Sequence, residues 1–254
     1  MSKPNLIIIH GFLQSFSCFP KFIEDLKPHF NILLIDLPGY GKNNNTNIND
    51  IEQYLEFIYQ EITSSYKLNI NRKINLLGWS LGGNISILLA NKYPEFFNKL
   101  FLLCSNPCFV KSNSNNYGMN KDIFLNFYNN IQSNIKKTSD KFLKLQLLGL
   151  DKDEFKKQYL NLKKFFESQK IPNIETLVFN LKLLNKDIRP ILENINNETY
   201  YILPEKDNLI PIEILEYFQD IKKDQDKLFI IPNATHVPML TNKDMLQSYL
   251  FEFG

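Results

Sequence analysis

Gly78-Trp79-Ser80-Leu81-Gly82 is a G-x-S-x-G run set between an apolar stretch, Lys73 to Leu77, and a helical run from Asn84. A strand, a sharp turn and a helix in that order lift the serine out of the backbone, at the positive end of the following helix. The flanking glycines suit a turn too tight for side chains. A free hydroxyl is a weak nucleophile, so Ser80 needs a base. Three histidines are available: His10, His29 and His236. His29 lies in a polar stretch and reads as a surface residue. His10 directly follows the first apolar run. His236 sits in Asn233-Ala-Thr-His-Val-Pro238, after the final apolar run, where the base of a strand–turn–helix hydrolase is expected. An orienting acid belongs after the run Tyr200–Leu203, and there Glu205 and Asp207 compete. The negative oxygen of a tetrahedral intermediate needs two N–H donors. Leu81 follows the nucleophile, and Phe12, in His10-Gly-Phe-Leu13, follows the first strand. The chemistry implied is acyl transfer through Ser80.

The elements that must hold these groups alternate. Short apolar runs at 6–9, 32–35, 74–77 and 100–103 read as buried strands, and helical spacing appears at 18–26, 48–66 and 85–93, the last ended by Pro94. Continuous apolar strands separated by helices imply a parallel sheet covered on both faces. From 109 to 189 the strand signal stops and helical patterns take over, at 123–131, 142–148, 155–166 and 174–184. Strands return at 200–203 and 228–231, with helices at 212–218 and 242–251. The expected organisation is a sheet core from 1–108 and 190–254, interrupted by a helical lid at 109–189. Asp36, in Asp-Leu-Pro-Gly-Tyr-Gly41, fits a turn-fixing role beneath the site.

The 254 residues carry a net charge of +2, which argues against general nucleic-acid binding. No apolar run approaches the eighteen or so residues of a membrane span, and no signal-type start is present, so a cytoplasmic protein off the membrane is expected. Cys18, Cys104 and Cys108 lack metal spacing and read as reduced thiols. No metal cluster, phosphate loop or dinucleotide fingerprint is visible, so no cofactor or metal is expected. Residues 111–170 hold twelve lysines against six acids. That excess fits either a solvated helical surface or a docking face for an acidic partner. The abundant asparagines and the near absence of arginine (Arg72 and Arg189 only) read as compositional bias.

Asp207-Asn-Leu-Ile-Pro211 resembles the D-x-x-[VI]-P pattern of hydrolase acids, which selects Asp207 over Glu205. The order Ser80, Asp207, His236 is that of the α/β-hydrolase fold, which the chain resembles over essentially its whole length. A narrower resemblance rests on Leu77-Gly-Trp-Ser-Leu-Gly-Gly83, Ser105-Asn-Pro-Cys-Phe109, Phe142-Leu-Lys-Leu-Gln146 and Asn233-Ala-Thr-His236. Together these are similar to the pimeloyl-[acyl-carrier-protein] methyl ester esterases, the carboxylesterases of biotin biosynthesis. The resemblance implies Ser80, Asp207 and His236 as the triad, with Phe12 and Leu81 as oxyanion donors. It also implies substrate contacts from Phe142, Leu143, Lys144, Leu145 and Gln146, at the start of a lid helix. The implied substrate is an acyl carrier protein bearing a pimeloyl methyl ester. The family's leading strand pair is missing here, so about six strands are expected. Its lid arginines are replaced nearby by Lys137, Lys141 and Lys156, which offer point charges instead of bidentate grips. Small esters are further expected substrates, and a monomer is the expected state. The rival readings are a general short-chain carboxylesterase, a ligand receptor without turnover on a hydrolase scaffold, and an enzyme cleaving carbon–carbon bonds.

Overall fold

The computed structural model describes residues 3–65 and 74–253. Six strands form one sheet: β1 (Asn5–Ile9), β2 (Asn31–Ile35), β3 (Ile74–Trp79), β4 (Phe97–Leu103), β5 (Glu198–Pro204) and β6 (Lys227–Ile231), ordered β2-β1-β3-β4-β5-β6. Every pairing is parallel. The register sets Ile9 against Ile35 and Gly78, Trp79 against Leu103, and Pro204 against Ile231. The strand ends therefore align, and the loops carrying the chemistry open along one edge of the sheet. Alternation sends Ile7, Ile9 and Leu76 into one apolar layer, and Leu6, Ile8, Leu77 and Trp79 into the other. Both layers are closed by helices, which is why these strands read as unbroken apolar runs.

The core helices are α1 (Pro20–Leu26), α2 (Ile51–Thr63) and α3 (Leu81–Lys92). The helix expected from Cys18 starts at Pro20 instead, after a 3-10 turn at Phe16–Cys18, because proline fits the first helical position. α2 starts at Ile51 because the Asp50 side chain caps it, accepting the Gln53 N–H at 3.0 Å. Its expected end at Tyr66, like Arg72 and Lys73, lies outside the described residues. α3 begins at Leu81, directly from the turn at Ser80 and three residues before Asn84.

Between β4 and β5 run α4 (Lys121–Ser133), α5 (Ile135–Leu145), α6 (Lys152–Ser168), α7 (Ile174–Leu184) and α8 (Arg189–Asn194). Asn120, Asn134, Asp151 and Asn173 cap α4 to α7, each accepting backbone N–H bonds through its side chain. The asparagine usage is thus partly structural. Asn134 also moves α5 forward: the segment Phe142–Gln146, expected to open a helix, closes one, with Gln146 as its C-cap. After β5 come α9 (Ile214–Ile221), α10 (Pro238–Thr241) and α11 (Lys243–Phe253). Neither α8 nor α10 was expected; both are one-to-two-turn helices with a proline in the first turn. The three cysteines are free. Among the described residues no helix is long and apolar enough to cross a membrane.

Candidate active site

Ser80 stands at the junction of β3 and α3 with φ 54° and ψ −118°. A non-glycine residue in that region costs of order 1–3 kcal/mol and persists only where its surroundings hold it. Here the Ser80 N–H donates to the Leu103 carbonyl at 2.8 Å. The Ser80 carbonyl accepts from the Gly83 N–H at 2.9 Å and from Ser105 Oγ at 3.0 Å. A Cβ on Gly82 would run into the Ile9 carbonyl, and one on Gly83 into Ser105 Oγ. The turn closes this tightly against β1 and β4 only with hydrogens at those positions. Ser80 itself is 6% exposed.

His236 and Asp207 meet in the interior. His236 Nδ1 donates to Asp207 Oδ2 at 2.7 Å, and Asp207 Oδ1 accepts the N–H groups of Leu209 (2.8 Å) and Ile210 (3.1 Å). With Nδ1 committed to a carboxylate, the neutral imidazole presents Nε2 as an acceptor. Nε2 is buried and has no hydrogen-bond partner among the described residues, Ser80 included. Catalytic hydrogen bonds are often open until substrate binds. Glu205 is occupied elsewhere: Oε2 accepts the Asn233 N–H at 2.8 Å, on the exposed side of the loop.

Two neighbours of this pair carried no sequence signal. Trp79 Nε1 donates to the His236 carbonyl at 2.9 Å, tying the strand before Ser80 to the loop of the base. Cys104, at φ 49°, brings its sulfur within 4.8 Å of ligand atoms of Asp207 and His236. Burial first, and the charge of Asp207 second, push the thiol well above its usual pKa. It therefore remains S–H, and with Asp207 and His236 already bonded to each other the trio is a poor metal-ligand set.

Phe12 lies in the loop after β1. His10 anchors that loop: Nδ1 donates to the Gly11 carbonyl at 2.8 Å and Nε2 accepts the Leu37 N–H at 3.0 Å. Burial lowers its pKa, and it stays neutral and structural. Asp36 holds the next turn, its Oδ2 accepting the Lys42 N–H at 3.1 Å.

A sequence profile described as the alpha/beta hydrolase fold matches residues 4–243. The chain belongs to the alpha/beta hydrolase family. A pimeloyl-[acyl-carrier protein] methyl ester esterase from Wigglesworthia glossinidia brevipalpis is 35% identical over 242 residues, covering 94% of this chain and 88% of that protein. One from Xylella fastidiosa strain M23 is 27% identical over 252 residues, covering 98% and 94%. An esterase structure from Exiguobacterium antarcticum superposes with a TM-score of 0.81 at 18% identity, over 100% of this chain and 92% of that one.

In this hydrolase an apolar cavity of about 50 Å³ opens beside Ser80. Phe12, Phe127, Phe142, Leu145 and Leu209 are among its walls. The ring of Phe12 meets those of Phe142 (5.7 Å) and Phe127 (6.1 Å) edge-on. Of the segment 142–146, Phe142 and Leu145 face the cavity. Leu143 and Lys144 do not: one helical step turns them to a separate outer groove of about 570 Å³, rimmed also by Lys136, Lys137 and Lys163. Gln146 is buried, its Oε1 without a hydrogen-bond partner. Lys137, Lys141 and Lys156 are all exposed.

Proposed function

We propose that this hydrolase cleaves the methyl ester of a pimeloyl chain carried on an acyl carrier protein, releasing methanol and leaving a free carboxylate on the carrier-bound acid. The buried Asp207–His236 pair, with its outer nitrogen free and Ser80 on the adjacent elbow, carries the chemical part of this reading. The substrate comes from the names of relatives at 27–35% identity. Ser80 attacks the ester carbonyl while His236 Nε2 takes the hydroxyl proton. Asp207 keeps the imidazole in the right tautomer and stabilises its charged form. The N–H groups of Phe12 and Leu81 receive the developing oxyanion, each such donor being worth about 3–4 kcal/mol. His236 then returns the proton to the departing methoxide, and water hydrolyses the acyl-serine.

Residues 109–189 act as the lid of a core formed by 1–108 and 190–254. The cavity, at about 50 Å³, is narrow. A seven-carbon acyl chain needs more, so α4 and α5 must part to admit it. Lys137, Lys141 and Lys156 then offer positive charge to an acidic carrier. The small cavity also favours the second reading, a general short-chain carboxylesterase.

Mass spectrometry of the carrier after incubation with its methyl pimeloyl form decides between them. Loss of one methylene mass, with the acyl chain still attached, is expected, and Ser80→Ala should abolish it while leaving the fold intact. Cleavage of simple esters with no change in the carrier-bound substrate would leave the short-chain reading standing alone.

A further inference from the structure

Leu13 lies at φ 63°, a left-handed conformation that a leucine rarely adopts, one residue after the proposed oxyanion donor. Its N–H donates to Tyr40 Oη at 3.4 Å. The same oxygen receives Asn180 Nδ2 at 3.0 Å, and Asn180 Oδ1 accepts Tyr54 Oη at 3.3 Å. Tyr40, Tyr54 and Asn180 are all buried. The Tyr40–Asn180 bond alone spans 140 residues of sequence, from the turn after β2 to helix α7. Apolar neighbours surround it, including Leu177 and Leu181 of the same helix. An amide placed there is desolvated at a cost that leucine would avoid, and what it returns is direction, because both its donor and its acceptor are fixed.

We propose that Tyr40 and Asn180 are positioning residues that hold the Gly11–Leu13 loop, so that α7 of the lid sets where the Phe12 N–H points. The inference rests on the ester-hydrolysis reading given above. The loop is held from three directions. Phe127 and Phe142 clasp the Phe12 ring from α4 and α5. Tyr40 takes the next N–H in the chain. His10, whose ring lies 4.7 Å from that of Tyr40, fixes the loop's root through the Leu37 N–H. The lid thus reaches Phe12 directly, through Phe127 and Phe142, and the residue after it through Tyr40. An oxyanion donor acts on the transition state more than on bound substrate, so loosening it lowers kcat and leaves KM nearly unchanged.

The test uses Tyr40→Phe, Asn180→Leu and the double variant, with rates expressed per serine titrated by a fluorophosphonate. Hydrogen exchange of residues 10–14 is followed in parallel. On a p-nitrophenyl ester, each single variant should lose about tenfold in kcat with KM within about twofold, and the double should lose no more than the worse single. Exchange at Phe12 and Leu13 should quicken in both. Tyr40→Phe deletes one oxygen and keeps the ring packing, so it carries the test if Asn180→Leu does not fold. Wild-type kcat per titrated serine, or unchanged exchange across 10–14, would overturn the positioning role. A wild-type protein that hydrolyses no ester would instead remove the esterase reading, and the exchange measurement alone would then decide the positioning.

Discussion

Asp207 and Glu205 stand two residues apart in one loop, yet their carboxylates serve different ends. Asp207 points inward and divides its oxygens between the imidazole and two backbone N–H groups, while Glu205 turns outward to steady Asn233, itself at φ 58°. Asp207→Asn should therefore lower kcat by about 10³–10⁴-fold by favouring the wrong imidazole tautomer. Glu205→Gln should keep near-wild-type kcat and lose at most about 1 kcal/mol of stability. Steady-state kinetics and a denaturant titration on the two variants check this. His10 provides a second prediction. Burial depresses its pKa in the folded protein below 6.5, so the unfolded chain binds a proton that the folded chain refuses. Its contribution to stability is whole above that value and falls as the solution becomes more acidic, by up to about 1.4 kcal/mol per pH unit. The decline in unfolding free energy between about pH 7 and pH 5 should be shallower in His10→Gln than in the parent protein.

At the scale of elements, the elbow depends on what its glycines leave out. Gly82 lies against the Ile9 carbonyl, and neither β1 nor α3 can retreat without disturbing the sheet or the Ser80 N–H bond to Leu103. Gly82→Ala should cost more than about 3 kcal/mol, at the severe end for single substitutions, because the atom it strikes is backbone. A fall in thermal midpoint much larger than for Ala90→Gly, at the far end of the same helix, would show it. This elbow was legible in the sequence because its residue types are dictated by local geometry. The start of α5 was less so. The apolar spacing at 142–148 matched a helix, but the Asn134 cap eight residues earlier governs where it begins. That shift decides which residues of Phe142–Gln146 reach the cavity, since neighbours on a helix lie about 100° apart.

Across the whole molecule, the excess of positive charge lies among the helices between β4 and β5, where residues 111–170 hold twelve lysines against six acids, while the total is only +2. If those helices receive an acidic carrier, raising salt from about 0.1 M to about 1 M should increase KM for the carrier-bound ester by about tenfold or more, as the screening length falls from about 10 Å to about 3 Å. Turnover of a small neutral ester should hardly change, and parallel salt titrations compare the two. The parallel sheet, the strand count and the order of Ser80, Asp207 and His236 could be read from the sequence, because strand runs and loop positions are local patterns. Phe12 and Phe142 were expected at the acyl site and line the cavity; Phe127 and the Tyr40–Asn180 link could not be read, because an apolar or amide side chain does not declare which distant segment it will meet. Trp79 is one such side chain. It is the only tryptophan in the chain, fully shielded from water, and its indole meets Phe16 and Phe19 edge-on while bonding the carbonyl of His236. The protein therefore carries one tryptophan among twelve tyrosines, and its indole is bonded to the residue proposed as the base. Excited at the red edge of its absorption, where tyrosine is silent, it reports on the surroundings of His236, and acylation and release of Ser80 are expected to change its emission with no dye attached.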